Sequence, residues 1–201
     1  MGKPFFSVIV PAHNSGIILE KCLRSVKNQT FTDYELIVIC DSCTDFIVSI
    51  AKEYADYWMR TEFGMDGLAR NAGIDIARGQ WIVFLDDDDW WMHEYVLEET
   101  HNAIQIRPDA DMVLYDFLWK GRGYWRNLPS RMNIAVWSKA FRRELIGDIR
   151  FPAIPFTSDA PFMQEIIDKG PVVFPTNMLM YYYNYMRKGS QTEEHEHGGG
   201  D

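Results

Sequence analysis

The sequence predicts an α/β fold in which a mostly parallel sheet carries helices on both faces. Three observations predict it. Short apolar runs alternate with segments of helical period at least three times in the first half of the chain. The links between them are short. Three of the apolar runs end in polar clusters, namely Ala12-His13-Asn14, Asp41-Ser42 and Asp86 to Asp89. Alternation with short links is how parallel strands are joined through crossover helices. In open parallel sheets ligands sit beyond the carboxyl ends of the strands, so the three clusters are expected to converge on one edge.

The elements follow in order. Residues 5–10 are a β-rich apolar run ending at Pro11 and read as a buried strand. Residues 16–28 have apolar positions at Ile17, Ile18, Cys22, Leu23 and Val26, a helical period, with Asn14 or Ser15 expected as the cap. Residues 35–40 form a second buried strand and Thr44 to Tyr54 a second helix. Tyr57 to Thr61 reads as a short strand, and residues 67–78 as a helix closed by Gly79. Trp81 to Leu85 is a strand that runs straight into the four aspartates. The second half is less regular. Helices are expected at 94–106, 138–146 and 158–168, and strands at Asp111–Leu118, Val172–Phe174 and Met178–Asn184. Residues 119–134 read as a loop or weak hairpin, and Glu193 to Asp201 as a disordered polar tail.

Composition narrows the function classes. The 201 residues are 47% apolar and 14% aromatic, enough for the core of one domain. The net charge is −9, and four of the acids lie in the last nine residues, which leaves the body at −5. Such a balance argues against a nucleic-acid coat, which needs a basic footprint. No apolar run approaches the ~20 residues that span a bilayer. The start shows neither signal-peptide anatomy nor the myristoylation pattern. Three cysteines, Cys22, Cys40 and Cys43, make no disulfide framework, so a reducing cytoplasm is expected.

The acidic run Asp86-Asp87-Asp88-Asp89 is the strongest chemical signal. Adjacent carboxylates repel one another, and at the end of an apolar strand they need a cation or many donors. A hard divalent ion such as Mg²⁺ or Mn²⁺ takes such oxygens and keeps positions for phosphate. The plain alternative is a solvated loop at a helix start. Trp90 and Trp91 stand where an EF-hand loop needs Asp or Asn and Gly, which excludes that motif. Cys40-Asp-Ser-Cys43 has the strand-to-helix setting of a redox pair, but two small semi-apolar residues explain it as well. Gly67-Leu-Ala-Arg70-Asn71-Ala-Gly73 opens a helix, and Arg70 either contacts phosphate or pairs with a nearby Asp and holds the site in shape. Asp159 reads on its own as a helix N-cap. The 119–131 segment mixes Lys120, Arg122, Arg126 and Arg131 with Trp119, Tyr124 and Trp125, which suits either a phosphorylated or sugar acceptor or a plain surface loop. His195 and His197 read as tail polarity. Neither GxGxxG nor GxxxxGK[ST] occurs.

Taken together and in order, these residues resemble the family 2 glycosyltransferases of the GT-A fold. Ser7-Val-Ile-Val-Pro-Ala-His-Asn14 is similar to the family's opening strand, and Gln29 to Asp45 to its second block. Ala69-Arg-Asn-Ala-Gly73 and Phe84-Leu-Asp86-Asp-Asp88-Asp89 match the third block and the metal motif. Weaker matches are Trp137-Ser-Lys139, Ser158-Asp159 and Tyr181 to Ser190. Cys40 and Cys43 stand where the family usually has Asp and Ser, and Ser42 where it has Gly. The resemblance implies one GT-A domain over 1–190, Rossmann-like, with a nucleotide-sugar-binding half at 1–90, an acceptor-binding half at 91–190 and a tail at 191–201. It implies an inverting transfer from a nucleotide-diphosphate sugar, UDP-linked, to a saccharide or lipid-linked saccharide acceptor in polysaccharide or glycan assembly. Carried over by position, Pro11, Ala12, His13, Asn14, Asp41, Arg70, Asp86 and Asp87 bind the donor, with Asp41 on the base and His13 stacked against it. Asp86 and Asp88 hold Mn²⁺ or Mg²⁺, and Asp159 is the general base. Peripheral contact with the inner membrane face is a further expectation, and nucleic acid is not a partner. Two other readings remain. One is a haloacid-dehalogenase-like phosphatase, whose Asp-x-Asp also ends an apolar strand but lies near the N-terminus and precedes Thr or Val rather than Trp90. The other is a non-catalytic sugar-binding or redox domain.

Overall fold

The computed structural model of the chain describes residues 2–185. Its first half is β1 (Phe6–Ala12), α1 (Ile18–Lys27), β2 (Tyr34–Asp41), α2 (Asp45–Tyr54), β3 (Tyr57–Thr61), α3 (Asp66–Ile76) and β4 (Trp81–Phe84). All its strand pairs are parallel: β1 with β2, β1 with β4, and β2 with β3. The second half is β5 (Trp90–Trp91), α4 (Val96–Ile106), β6 (Met112–Trp119), β7 (Gly123–Trp125), β8 (Lys139–Arg142), α5 (Arg143–Ile146), α6 (Asp159–Asp168) and β9 (Val173–Tyr183). One sheet runs through both halves in the order β3-β2-β1-β4-β8-β6-β9-β5, with β7 paired to β6.

Burial explains the strands. Every residue of β1 is buried, as expected of a strand covered on both faces. Pro11 lies inside β1 rather than closing it. Leu85 N donates to Ile9 O, so the β4-facing side of β1 recurs at Pro11, two residues beyond Ile9, the last residue that β4 pairs. The missing N–H therefore costs no ladder bond. One core lies between the sheet and α1, α2 and α4, and a second between the sheet and α3, α5 and α6. Helices on both faces are thus observed.

Several boundaries differ from the expectation. Residues 139–142 are a strand, not part of a helix. The slot between β4 and β6 offers antiparallel partners on both edges, and these outweigh local helix propensity. The two strands expected near the end are one, β9, with register shifts against β6 near Asp116. Trp90–Trp91 forms a short strand that periodicity could not reveal. Neither Asn14 nor Ser15 caps α1; Ile17 occupies that position with no side-chain bond. Gly79 does not cap α3, whose C-cap is Ala77. The polar tail lies outside the described residues.

Gly79 has a different purpose. A Cβ built there would lie 2.4 Å from Ser7 N and 2.6 Å from Phe6 C. Its N–H donates to Ser7 Oγ at 2.8 Å, and Ser7 donates in turn to the buried Glu35 at 2.6 Å. Gly79→Ala should therefore destabilise the fold by about 1–3 kcal/mol through overpacking against backbone, read as a lowered denaturant midpoint at constant m.

Candidate active site

The carboxyl ends of β1, β2 and β4 do converge. They line one cavity of about 830 Å³, together with residues from α3, the start of α6 and the ends of β6 and β9. A separate cleft of about 580 Å³, between α1 and residues 90–94, contains none of the sequence-predicted site residues.

The four aspartates escape mutual repulsion by turning to different partners. Asp86 Oδ1 accepts from Arg70 Nη2 at 2.8 Å. Asp87 accepts from the backbone N–H of His13 at 2.7 Å. Asp89 is fully buried and accepts from Tyr181 OH at 2.6 Å and Asn184 N at 2.7 Å. Asp88 lines the cavity, and its backbone carbonyl accepts from Asn184 Nδ2 at 3.2 Å. Burial pushes Asp86 upward, and the Arg70 guanidinium pulls it back. Burial likewise raises Asp89, and the charges of Asp88 and Asp86 add to the rise.

His13 and Asp41 are joined at the first two strand ends. Asp41's carbonyl can only accept, so His13 Nδ1 carries the proton of their 2.8 Å bond. The Asp41 carboxylate is almost wholly buried and already accepts three bonds: from Thr61 Oγ1 at 2.9 Å, Phe63 N at 2.6 Å and Met65 N at 3.1 Å. It organises the segment between β3 and α3 while lining the cavity. Pro11, Ala12 and Asn14 line the cavity beside it.

Arg70 is the hub. It is 3% exposed and bonds Asp66 and Asp86, with Asp159 at 3.5 Å. Of the two roles left open for it, the pairing role is present in the protein. Its helix is seated by its neighbours. Asn71 exchanges two 2.9 Å bonds with the backbone of Phe151, and a Cβ at Gly73 would lie 2.4 Å from Ile9 Cγ2.

Asp159 is not an N-cap. Ser158 holds that position, and Asp159 is the first residue of α6. Its Oδ2 accepts from Val136 N at 2.9 Å. Burial raises its pKa, and Arg70 opposes the rise. The preceding Thr157 has φ +60°, an uncommon conformation for a β-branched residue and a store of local strain beside the carboxylate.

Lys139 was seen in the sequence only as part of a weak motif, and the structure gives it a place. It is fully buried and donates to Asn133 O, Ala135 O and Ser138 Oγ at 2.5, 2.6 and 3.0 Å. It thereby clamps the turn that presents Val136 N–H to Asp159. Burial pushes its pKa down to about 7, with the Asp159 charge acting against this. Tyr181 and Asn184 were likewise seen only within a weak motif, and Asp66 went unnoticed although it had a legible signal, standing four residues before Arg70 on one helix face.

Cys40 and Cys43 are buried and unlinked. The hydrogen bond between the two thiols, together with burial, pushes Cys40 up, and the same bond pulls Cys43 down to about 7 against its burial.

The model of glycosyl transferase family 2 matches residues 7–169. The chain belongs to that family. The glycosyltransferase YibD of Escherichia coli (strain K12) is 28% identical over 96% of this chain and 64% of its own length. The poly(ribitol-phosphate) β-N-acetylglucosaminyltransferase TarP of Staphylococcus aureus (strain N315) is 29% identical over 85% of this chain and 52% of its own. A crystal structure of S. aureus TarS 1–349 in complex with UDP superposes with a TM-score of 0.78 at 25% identity, covering 89% of this chain and 60% of that one. The fold of this glycosyltransferase family 2 member is thus the GT-A type, and the phosphatase alternative finds no support. The chain spans 31%, 64% and 35% of the length of three curated relatives it matches. Among the described residues no helix is long and apolar enough to cross a membrane.

Lys139→Met should leave buried carbonyls unpaired and cost about 1–3 kcal/mol. Because the folded pKa lies below the unfolded one, the unfolded chain binds more protons between pH 7 and 10.5. Wild type should therefore gain stability relative to the Met variant as pH rises through that window. Parallel denaturation curves of the two proteins across it would show a constant difference if Lys139 did not titrate there.

Proposed function

We propose that this glycosyltransferase family 2 chain catalyses an inverting, metal-assisted transfer from a UDP-linked sugar to a hydroxyl of a saccharide or lipid-linked saccharide acceptor in glycan assembly. One observation carries the reading: a single cavity is lined both by the ends of β1, β2 and β4 and by Asp159 at the start of α6. The UDP bound in the TarS structure and TarP's designation as a β-N-acetylglucosaminyltransferase support the donor class.

On the donor side, the segment from Pro11 to Asn14 and Asp41 form the base pocket. The exposed His13 ring, fixed through Nδ1, suits stacking on a nucleobase. Asp87 supports this pocket from behind by holding His13 N. Arg70 serves the donor by orienting Asp86, since its own charge is committed to carboxylates.

Asp86 and Asp88 fit a divalent cation. Both line the cavity, both offer carboxylate oxygens, and Arg70 engages only Oδ1 of Asp86. Among the described residues no group of three or more His, Cys, Asp or Glu is placed to hold a metal ion by itself, so the protein would supply only two ligands. The remaining positions would fall to phosphate oxygens and water, the habit of Mg²⁺ and also suited to Mn²⁺. Such an ion offsets charge growing on the departing diphosphate.

Asp159 receives the proton of the acceptor hydroxyl. Val136 N–H fixes Oδ2, and the 3.5 Å separation of Oδ1 from Arg70 leaves that oxygen a lone pair for the incoming hydroxyl. Attack on the sugar face opposite the diphosphate then gives inversion.

Asp159→Asn should bind UDP like wild type yet lose transfer by ~10²–10⁴-fold. Wild-type kcat/KM should show an acid limb above the ordinary carboxylate value of about 3.9, since burial raises Asp159. A variant that turns over normally would remove Asp159 from the mechanism. Asp88→Asn should abolish the gain in UDP affinity that Mn²⁺ confers, measured by calorimetry with and without the ion; unchanged affinity in Mn²⁺ would sink the metal assignment.

A further inference from the structure

The chain is acidic at −9, yet the thirteen residues from Trp119 to Arg131 hold four cations and no acid. These cations are exposed, and the structure brings two of them to the cavity rim. Arg122 Nη2 donates to Tyr185 OH at 2.9 Å, and its guanidinium lies 4.7 and 4.5 Å from the ring centres of Trp119 and Tyr185. Lys120 Nζ donates to Asn184 Oδ1 at 2.9 Å. Trp119, Asn184 and Tyr185 all line the cavity that holds Asp159. The described partners of Lys120 and Arg122 are neutral, and among the described residues neither cation forms an ion pair.

The two rings meet edge to face with centres 5.3 Å apart, and a guanidinium held against both is pre-organised and loses little freedom when it meets an anion. The rings beside it offer faces on which the apolar side of a sugar packs. The overall charge of the chain repels anions, so attraction at this rim is local and acts within a Debye length of about 8 Å.

We infer that the β6–β7 hairpin is the acceptor platform and selects a saccharide carrying an anionic group, held by Arg122 and Lys120 against Trp119 and Tyr185. The inference deepens the proposed transferase reading and rests on it, because it assigns the acceptor side of the same cavity. The charge could come from a phosphate or from a uronic carboxylate; both present oxygens that Arg and Lys receive.

The test is direct binding without donor. Maltotriose, a singly phosphorylated maltotriose and trigalacturonic acid are titrated into the whole chain, followed by tryptophan fluorescence and calorimetry at low salt and at 0.15 M salt. The K120Q/R122Q double variant is titrated in parallel. Wild type should bind at least one anionic sugar roughly tenfold more tightly than the neutral one. Salt should narrow that gap, and the double variant should erase it while keeping wild-type affinity for UDP. A gain with both anions assigns charge as the selected feature, and a gain with one alone assigns phosphate or carboxylate. The inference is overturned if neutral and anionic sugars bind alike, if no anionic sugar binds, or if the gap survives in the double variant. A wild type that fails to bind UDP would overturn the donor reading instead, since the anion gap is measured in its absence.

Discussion

The rest of the site depends on one buried cation. Arg70 touches three carboxylates that come from α3, from the turn after β4 and from the start of α6. A guanidinium taken out of water must be paired, and its planar fork can serve several oxygens at once. The converse matters more. Asp86 and Asp159 are both pushed upward by burial, and Arg70 is what favours their charged forms. Breaking a buried arrangement of this kind by removing one partner typically costs about 3–5 kcal/mol. Here the loss would also push toward their neutral forms the two groups to which the proposed reading assigns donor binding and proton transfer.

The acidic run shows how the second half, with its mixed parallel and antiparallel pairs, completes a site that the parallel first half only begins. A parallel sheet can end a strand in carboxylates, but it does not by itself supply their partners. Tyr181 and Asn184 do so, from the end of β9, and they take Asp89 out of the cluster by burying it with two hydrogen bonds. Tyr181 OH also accepts from Asp86 N at 3.3 Å, so one hydroxyl spans both ends of the run. Asp86, Asp87 and Asp88 all line the cavity, and Asp87 spends one carboxylate oxygen on His13 N.

Much of this was legible in the sequence because it rests on local pattern. The parallel half obeys period and burial, and its polar strand ends are where the cavity lies. What was not legible depends on partners distant in sequence. Residues 139–142 are a strand only because β4 and β6 leave a slot between them. Gly79 reads as a helix cap locally, yet it is needed for the close approach of β1. The bonds from Lys139 to Asn133 and Ala135 are local in number, but its burial is not, and without burial a lysine after a serine carries no signal. Asp159 is the sharpest case. An aspartate at a helix start suggests a cap, and only the tertiary placement of Val136 and Arg70 shows that its oxygens are used elsewhere.

Thr157 gives that placement a physical meaning. A β-branched residue at φ +60° persists only where its surroundings over-determine it. The surroundings are on both sides. Ser158 Oγ reaches Asp66 at 3.4 Å, and a Cβ at Gly67 would lie only 3.0 Å from Ser158 Cβ, so α6 begins in contact with the first turn of α3. From the other side Val136 N–H receives Asp159, and the Lys139 clamp holds the turn that carries Val136. Asp159 is therefore fixed by a chain entry that is unfavourable by itself and by contacts on both sides that hold it. A carboxylate held in this way need not reorganise when a hydroxyl arrives, which is the condition under which a single proton acceptor contributes most to a transfer.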